Sequence, residues 1–272
     1  MPSAAQAVWN DIQRIRAEAP LVHNITNYVV MNTTANALLA AGASPVMAHA
    51  AEEVEEMVGI ARALVINIGT LSAGWIESML RAGREAVRRK VPIVLDPVGS
   101  GATRLRTATV ERLIAEAPPA IIRGNASEIR SLVSAEQATK GVDSTHRAEE
   151  SVDAAWALAR RCRCVVSVSG ATDVIVGSEA GKEIVIRVRN GHAWMPRVTG
   201  MGCTASALTG AFAAVNPSPL RAAAHAMALN GIAGELAGER AQGPGTFQAA
   251  FLDALFRLDA GEIERRLLLE EV

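Results

Sequence analysis

The chain has 272 residues and a formal net charge of −1, with 50% hydrophobic and 3% aromatic residues. There is no basic block, which argues against a nucleic-acid partner. No run of about 18 apolar residues is present and the first ten residues lack a signal-peptide pattern, so no membrane contact is expected. Three cysteines, an odd number, argue against a disulfide framework. Cys162 and Cys164 are too close in sequence for an ordinary bridge and lack partners at zinc spacing. The expectation is a reduced, cytoplasmic protein.

In chain order, residues 4–17 have helical periodicity, with Val8, Ile12 and Ile15 on one side, and Pro20 ends the pattern. Residues 21–26 are predicted as a strand, 29–41 as an apolar helix ending at Gly42, a good C′ residue, and 44–48 as a short strand. Glu52, Glu53, Glu55 and Glu56 load a helix start with acid. Residues 63–69 form a continuous apolar strand of the kind buried on both faces. Ser72 caps a helix running to Arg89.

Residues 92–99 are a second buried strand ending on Asp96 and a turn. A helix follows at 107–117, a strand at 120–125, a short helix at 126–132, a polar loop at 135–145 and a helix at 147–161. Strands are expected at 165–169, 173–177, 183–189 and 192–196, and helices at 203–214, 218–241, 246–257 and from Ala260 onward. This alternation predicts an α/β fold of three layers, with a mainly parallel central sheet flanked by helices, in one domain covering 1–272. In such sheets ligands sit beyond the carboxyl ends of the strands. The polar residues at 24–27, Asn67, Asp96, 123–125 and Ser169 gather there.

The stretch VTGMGC at 198–203 opens a helix of small and apolar residues. The first N–H groups of a helix have no intrahelical partner, and the dipole adds positive charge, so the place suits an anion. Gly200 and Gly202 let the backbone approach a phosphate, and Cys203 falls on the first turn, where a thiol pKa tends to drop. The string also fits the dinucleotide fingerprint G-x-G-x-x-A. That motif needs an acid about 20 positions on, and residues 218–230 contain none.

Taken together, PLVHNITN (20–27), GASPVM (42–47), NIGT (67–70), LDPVG (95–99), IRGNASE (122–128), VTGMGC (198–203) and GPGTF (243–247) resemble the hydroxyethylthiazole kinase family of the ribokinase-like superfamily. The order and spacing of these stretches, spread over residues 20–257, are specific in combination. The resemblance implies a ribokinase-like fold and phosphorylation of the primary alcohol of 4-methyl-5-(2-hydroxyethyl)thiazole by ATP with Mg2+. It also implies a homotrimer with substrate sites at the subunit boundaries.

By that resemblance Met47 and Asn27 lie on the thiazole side, where a soft thioether suits a flat sulfur heterocycle. Gly200 contacts substrate, and Gly200 and Gly202 form the anion hole. Arg123 and Ser169 contact the nucleotide; a guanidinium forks onto phosphate oxygens, and Ser169 stands where the family usually has Thr, with Ser167 its nearby rival. Glu128, in the N-x-x-E motif, and Asp96 support magnesium, which prefers hard oxygens and keeps waters. The competing reading of Glu128 is a carboxylate complementing a helix dipole. Cys203 stands where related sugar kinases carry an Asp base. Met201 departs from the family's common Ala and is expected to alter the space beside the substrate.

Three other readings compete. A hydroxymethylpyrimidine kinase of the same superfamily is opposed by the stretch at 20–47. A hydrolase using Cys203 as nucleophile needs a histidine base, and none of the five histidines carries a signature for it. A non-catalytic ligand sensor is opposed by the set Asp96, Glu128 and Cys203.

Overall fold

The computed structural model describes residues 2–137 and 147–272. Among the described residues nine strands form one sheet: β1 (Leu21–Ile25), β2 (Ser44–Val46), β3 (Ala63–Asn67), β4 (Ile93–Asp96), β5 (Ile121–Asn125), β6 (Val165–Ser169), β7 (Asp173–Glu179), β8 (Lys182–Val188) and β9 (Leu269–Glu271), in the order β2-β1-β3-β4-β5-β6-β7-β8-β9. The first six are parallel and the last three pairings antiparallel. The helices are α1 (Ala4–Glu18), α2 (Met31–Ala41), α3 (Val54–Ile60), α4 (Ala73–Arg89), α5 (Arg104–Glu116), α6 (Ala126–Gln137), α7 (Arg147–Cys162), α8 (Met201–Val215), α9 (Pro219–Arg240), α10 (Pro244–Arg257) and α11 (Ala260–Arg266).

Two apolar clusters, one on each face, make the three layers. Val65, Val94, Ile121 and Val22 turn toward α1, α2, α8, α9 and α10, while Leu64, Ile66, Leu95 and Ile122 turn toward α3 to α7. This is the period-two alternation of a strand covered on both faces, and it explains why β3 is apolar at every position but its last. Helix α9 is buried almost all round, and its alanines let it lie close to its neighbours. Helix ends follow local chemistry. Ser72 Oγ accepts from Trp75 N at 3.3 Å, and Gly42 closes α2 at φ 100°, a backbone angle that costs glycine little.

The structure corrects the sequence reading in four places. Residues 192–196 are not a strand. They form turns leading into a 3-10 turn at Met195–Arg197, since Pro196 has no N–H to give a ladder. The charged C-terminal helix is short and gives way to β9, whose acidic residues pair outward: Glu270 with Arg189 at 2.7 Å and Glu271 with Arg221 at 2.6 Å. Helix α6 runs to Gln137 rather than stopping at 132, and residues 138–145 of the expected polar loop lie outside the described residues. Helix α5 starts three residues early, capped by Thr103 Oγ1 accepting from Arg106 N at 3.3 Å.

Helix α8 crosses β1, β3 and β4 with Gly210 against the sheet. A Cβ there would lie 2.5 Å from Val65 Cγ2 and 3.1 Å from Val22 Cγ1. Both neighbours are β-branched side chains held in the sheet, so they cannot swing aside. Valine regains only about 0.4 kcal/mol of helix propensity over glycine, while overpacking costs about 1–3 kcal/mol. Gly210→Val is expected to lower unfolding stability by about 2 kcal/mol, read by urea titration. An unchanged midpoint would show that α8 shifts freely on the sheet.

Candidate active site

The register of the parallel strands brings their polar ends together. Asn67 at the end of β3 lies beside Asp96 at the end of β4, and Asn125 at the end of β5 beside Ser169 at the end of β6. Asp96 is buried. Its Oδ2 accepts from Asn67 Nδ2 at 2.8 Å and from Ser206 Oγ, on α8, at 2.7 Å. Asn67 Oδ1 accepts in turn from Asn27 Nδ2 at 2.8 Å and from Gly69 N at 3.0 Å. Asn27 Nδ2 also reaches Cys203 Sγ at 3.5 Å. A continuous polar chain therefore runs from Asp96 to the thiol.

Burial pushes the Asp96 carboxyl up to about 6, against the nearby Arg123 charge and the Ser206 and Asn67 hydrogen bonds, with the charge of Glu128 adding to the rise. Burial also pushes the Cys203 thiol up to about 11, and the charge of Asp96 adds to this. This reverses the expectation from helix position alone. The first turn of α8 favours a thiolate, but desolvation and a neighbouring anion outweigh it. Cys203 is a neutral thiol.

Gly200 caps α8 in the left-handed region at φ 85°, and a Cβ there would sit 2.8 Å from Val30 Cγ1. The first intrahelical bond runs from Thr204 N to Gly200 O at 2.8 Å, so the N–H groups of residues 201–203 point out of the helix end. Arg123, buried on β5, donates from an Nη to Gly202 O at 3.0 Å, and its buried Nε has no partner. Arg123, Ser169, Gly200 and Gly202 line a cavity of about 700 Å³. Ser169 donates weakly to Gly124 O at 3.4 Å; Ser167 is fully buried with its hydroxyl unpartnered, which leaves Ser169 as the serine of β6 on the cavity wall.

Glu128 serves the backbone with both oxygens. Its Oε2 accepts from Asn125 N at 2.8 Å while Asn125 Oδ1 accepts from Glu128 N at 2.9 Å, a reciprocal capping arrangement. Its Oε1 accepts from Gly99 N at 2.8 Å, in the turn after β4. The N-x-x-E motif is thus a helix start and a tie to the neighbouring turn at once. Met47 is half-buried beyond β2 and does not line the cavity. It lies by His49, whose ring is 4.7 Å from Trp75, which is itself 4.7 Å from Tyr28, the neighbour of Asn27. Met201 is buried in the core and forms part of the cavity wall with Arg123.

The sequence placed Asn67 at a strand end without giving it a role, and several other residues of the site were not singled out. Asn67 joins Asn27 to Asp96; its place at a strand end was the available clue. Ser206 follows Cys203 by three and shares its helix face. Asp173 lines the cavity, accepts from Gly170 N at 3.0 Å, and is pushed by burial to about 6. Arg106 gives no clue in sequence. It donates to Ile68 O, Gly69 O and Val98 O at 2.9, 2.7 and 2.6 Å, tying the turns after β3 and β4 together.

Residues 12–261 match the Hydroxyethylthiazole kinase family. The chain is 57% identical over 268 residues to a hydroxyethylthiazole kinase of Syntrophus aciditrophicus, covering 98% of each chain. It is 52% identical over 271 residues to one of Desulfotalea psychrophila, covering 100% of this chain and 98% of the relative. The structure of the hydroxyethylthiazole kinase protein from Pyrococcus horikoshii superposes with a TM-score of 0.90 at 44% identity, over 98% of this chain and 99% of that one. A pyridoxal kinase from Staphylococcus aureus, in complex with AMP-PCP and pyridoxal, shares the fold at a TM-score of 0.61 and 14% identity, over 93% of this chain and 98% of that one. The three-layer architecture is therefore the ribokinase-like one, and with its sequence and fold in agreement this chain belongs to the hydroxyethylthiazole kinase family.

Proposed function

We propose that this chain phosphorylates the primary alcohol of 4-methyl-5-(2-hydroxyethyl)thiazole with ATP, giving the thiazole phosphate used in thiamin salvage. The observation that carries the reading, in a chain of this family, is the meeting of Asn27 and Cys203 with the N-terminus of α8, beside a cavity that contains Arg123.

The acceptor hydroxyl sits against Cys203 and Asn27, with Met47 on the thiazole side. The N–H groups of residues 201–203 and Arg123 take the charge of the transferring phosphoryl group, and Ser169 contacts the nucleotide. The unpartnered Nε of Arg123 supports an anionic partner there. Transfer passes through a loose transition state, so placement and electrostatics outweigh base strength. A neutral thiol suffices because it positions the hydroxyl and receives its proton late.

Asp96 and Glu128 are hard oxygen donors whose charges sense one another. Magnesium held through waters by one or two carboxylates and the substrate phosphates fits that pair. No three-ligand cluster of His, Cys, Asp or Glu exists among the described residues, in keeping with a cation bound largely by phosphates. The ion would draw charge from the phosphates when bound. A homotrimer with its substrate sites at the subunit boundaries accords with exposed Tyr28 and Val29, which follow Asn27 in the chain. Among the described residues no helix is long and apolar enough to cross a membrane, which accords with a cytoplasmic location.

The test is incubation of the protein with ATP, magnesium and the thiazole alcohol, with hydroxymethylpyrimidine and pyridoxal in parallel, and product identification by mass spectrometry. A magnesium-dependent thiazole phosphate is expected. Preferential phosphorylation of either other alcohol would overturn the substrate assignment.

Cys203→Ala is expected to slow turnover by about 10²-fold, the lower end of the range for general-base assistance, while Cys203→Asp retains activity. Steady-state kinetics on both folded variants decide it, and a dead Asp variant would refute the placement role.

Asp96 should also leave a mark on the pH profile. Its carboxyl is protonated below about 6 and charged above, and only the charged form attracts the cation. Turnover is expected to fall as pH drops through about 6, with Asp96→Asn lowering the rate by roughly 10²-fold and abolishing that limb. Asp173→Asn should keep it. Stability runs the opposite way. A carboxyl with a raised folded pKa contributes stability below the unfolded value near about 4, and this is lost as pH rises to about 6. Asp96→Asn should therefore melt no lower than the parent at neutral pH.

A further inference from the structure

Cys162 and Cys164 lie at the end of the sheet away from the strand ends that carry the candidate active site. Helix α7 ends on Cys162, Arg163 turns in the left-handed region at φ 52°, and β6 begins at Val165. The spacing alone argues against an ordinary bridge, but the left-handed Arg163 between them changes this: a residue in that region draws its two neighbours to about 5.5 Å between Cα atoms, inside the span that disulfides bridge. Cys164 N is tied back to Ala159 O at 3.2 Å, which fixes the turn. Both thiols are free and half-buried, and Cys164 lines a separate cavity of about 480 Å³ with Arg160 and Arg163.

We infer that Cys162 and Cys164 form a dithiol modification site that hydrogen peroxide or an organic peroxide converts to an intramolecular disulfide, with Cys162 as the attacking thiol and Cys164 as the resolving one. The roles follow from their surroundings. The neighbouring Cys164 sulfur and the adjacent Arg161 guanidinium hold the Cys162 thiol below its usual range; these outweigh its burial, the Glu111 charge and the negative end of the α7 dipole. Cys164 is held above the usual thiol range by the neighbouring Cys162 sulfur, by its burial and by the Cys162 charge. In the first step the Cys162 thiolate attacks one peroxide oxygen: an S–O bond forms, the O–O bond breaks and hydroxide or an alkoxide leaves. In the second the Cys164 sulfur attacks the sulfenic sulfur: an S–S bond forms, the S–O bond breaks, and the departing hydroxide takes the Cys164 proton as water. Two electrons pass from the two sulfurs to the peroxide.

The test is a limited dose of hydrogen peroxide on the full chain near neutral pH, followed by alkylation and mass spectrometry without reduction. The peptide carrying both cysteines is expected to lose about 2 Da, at least about 10-fold faster than Cys203, which is a neutral thiol, gains oxygen. Cys164→Ser should leave Cys162 as a sulfenic acid that a dimedone-type probe captures, and Cys162→Ser should leave Cys164 unmodified. Both variants change half-buried turn positions, and their thermal melting confirms folding independently of the readout. Oxidation of Cys203 at an equal rate, or progress of Cys162 to the sulfinic acid in the unsubstituted chain, would overturn the assignment.

Discussion

Asp96 lies in the interior at 1% exposure, and its Oδ2 receives two neutral donors, the Asn67 amide and the Ser206 hydroxyl. A buried carboxylate without such partners costs several kcal/mol, while hydrogen bonds to a charged group return about 1.5–3 kcal/mol each. That asymmetry fixes the direction of the network. Asn67 must present its NH2 to Asp96, so its oxygen faces Asn27, so the Asn27 NH2 is what meets the sulfur of Cys203. Polarity set at β4 is thus handed across β3 and the end of β1 to the first turn of α8. Ser206 closes the circuit by binding α8 to the same carboxylate. The helix end that presents its N–H groups and the strand ends that carry the acids are therefore one rigid unit.

A second set of ties holds the turns around that unit. Arg106 gathers carbonyls from the turns after β3 and β4, and Glu128 binds the turn after β4 to the start of α6. Neither residue touches the sulfur. Each fixes backbone that would otherwise be free to move at the mouth of the sheet, where loops carry function on a rigid scaffold. Arg123 reinforces the first set, since it donates to Gly202 O at the start of α8 while its charge bears on Asp96, and on Asp173 across the cavity.

The layers, the buried parallel strands and the α8 loop were legible in the sequence because each rests on local pattern. Apolar runs such as 63–66 belong to strands covered on both faces, and two glycines ahead of a small-residue helix mark a close backbone approach. What escaped has a non-local cause. The three-residue β9 is acidic and gains its place only by pairing with β8 and with Arg189 and Arg221. The segment at 192–196 alternates like a strand but cannot supply a ladder at Pro196. In the site, Asp96, Asn27 and Cys203 were readable as polar positions at element ends, whereas Asn67's role as the joint between them depends on strand register. The protonation of Cys203 was misread for the same reason: position on a helix is local, but desolvation and the charge of Asp96 are properties of the assembled fold.

That neutral thiol has a physical logic of its own. Asp96 and Glu128 already place two mutually repelling acids at the strand ends, with the Arg123 charge beside Asp96. A third charge at position 203 would sit close to Asp96, in a region already poor in water, and would raise the cost of both. A neutral thiol avoids this penalty. The site relies on the fixed direction of its dipoles instead, and those dipoles are set by one buried carboxylate.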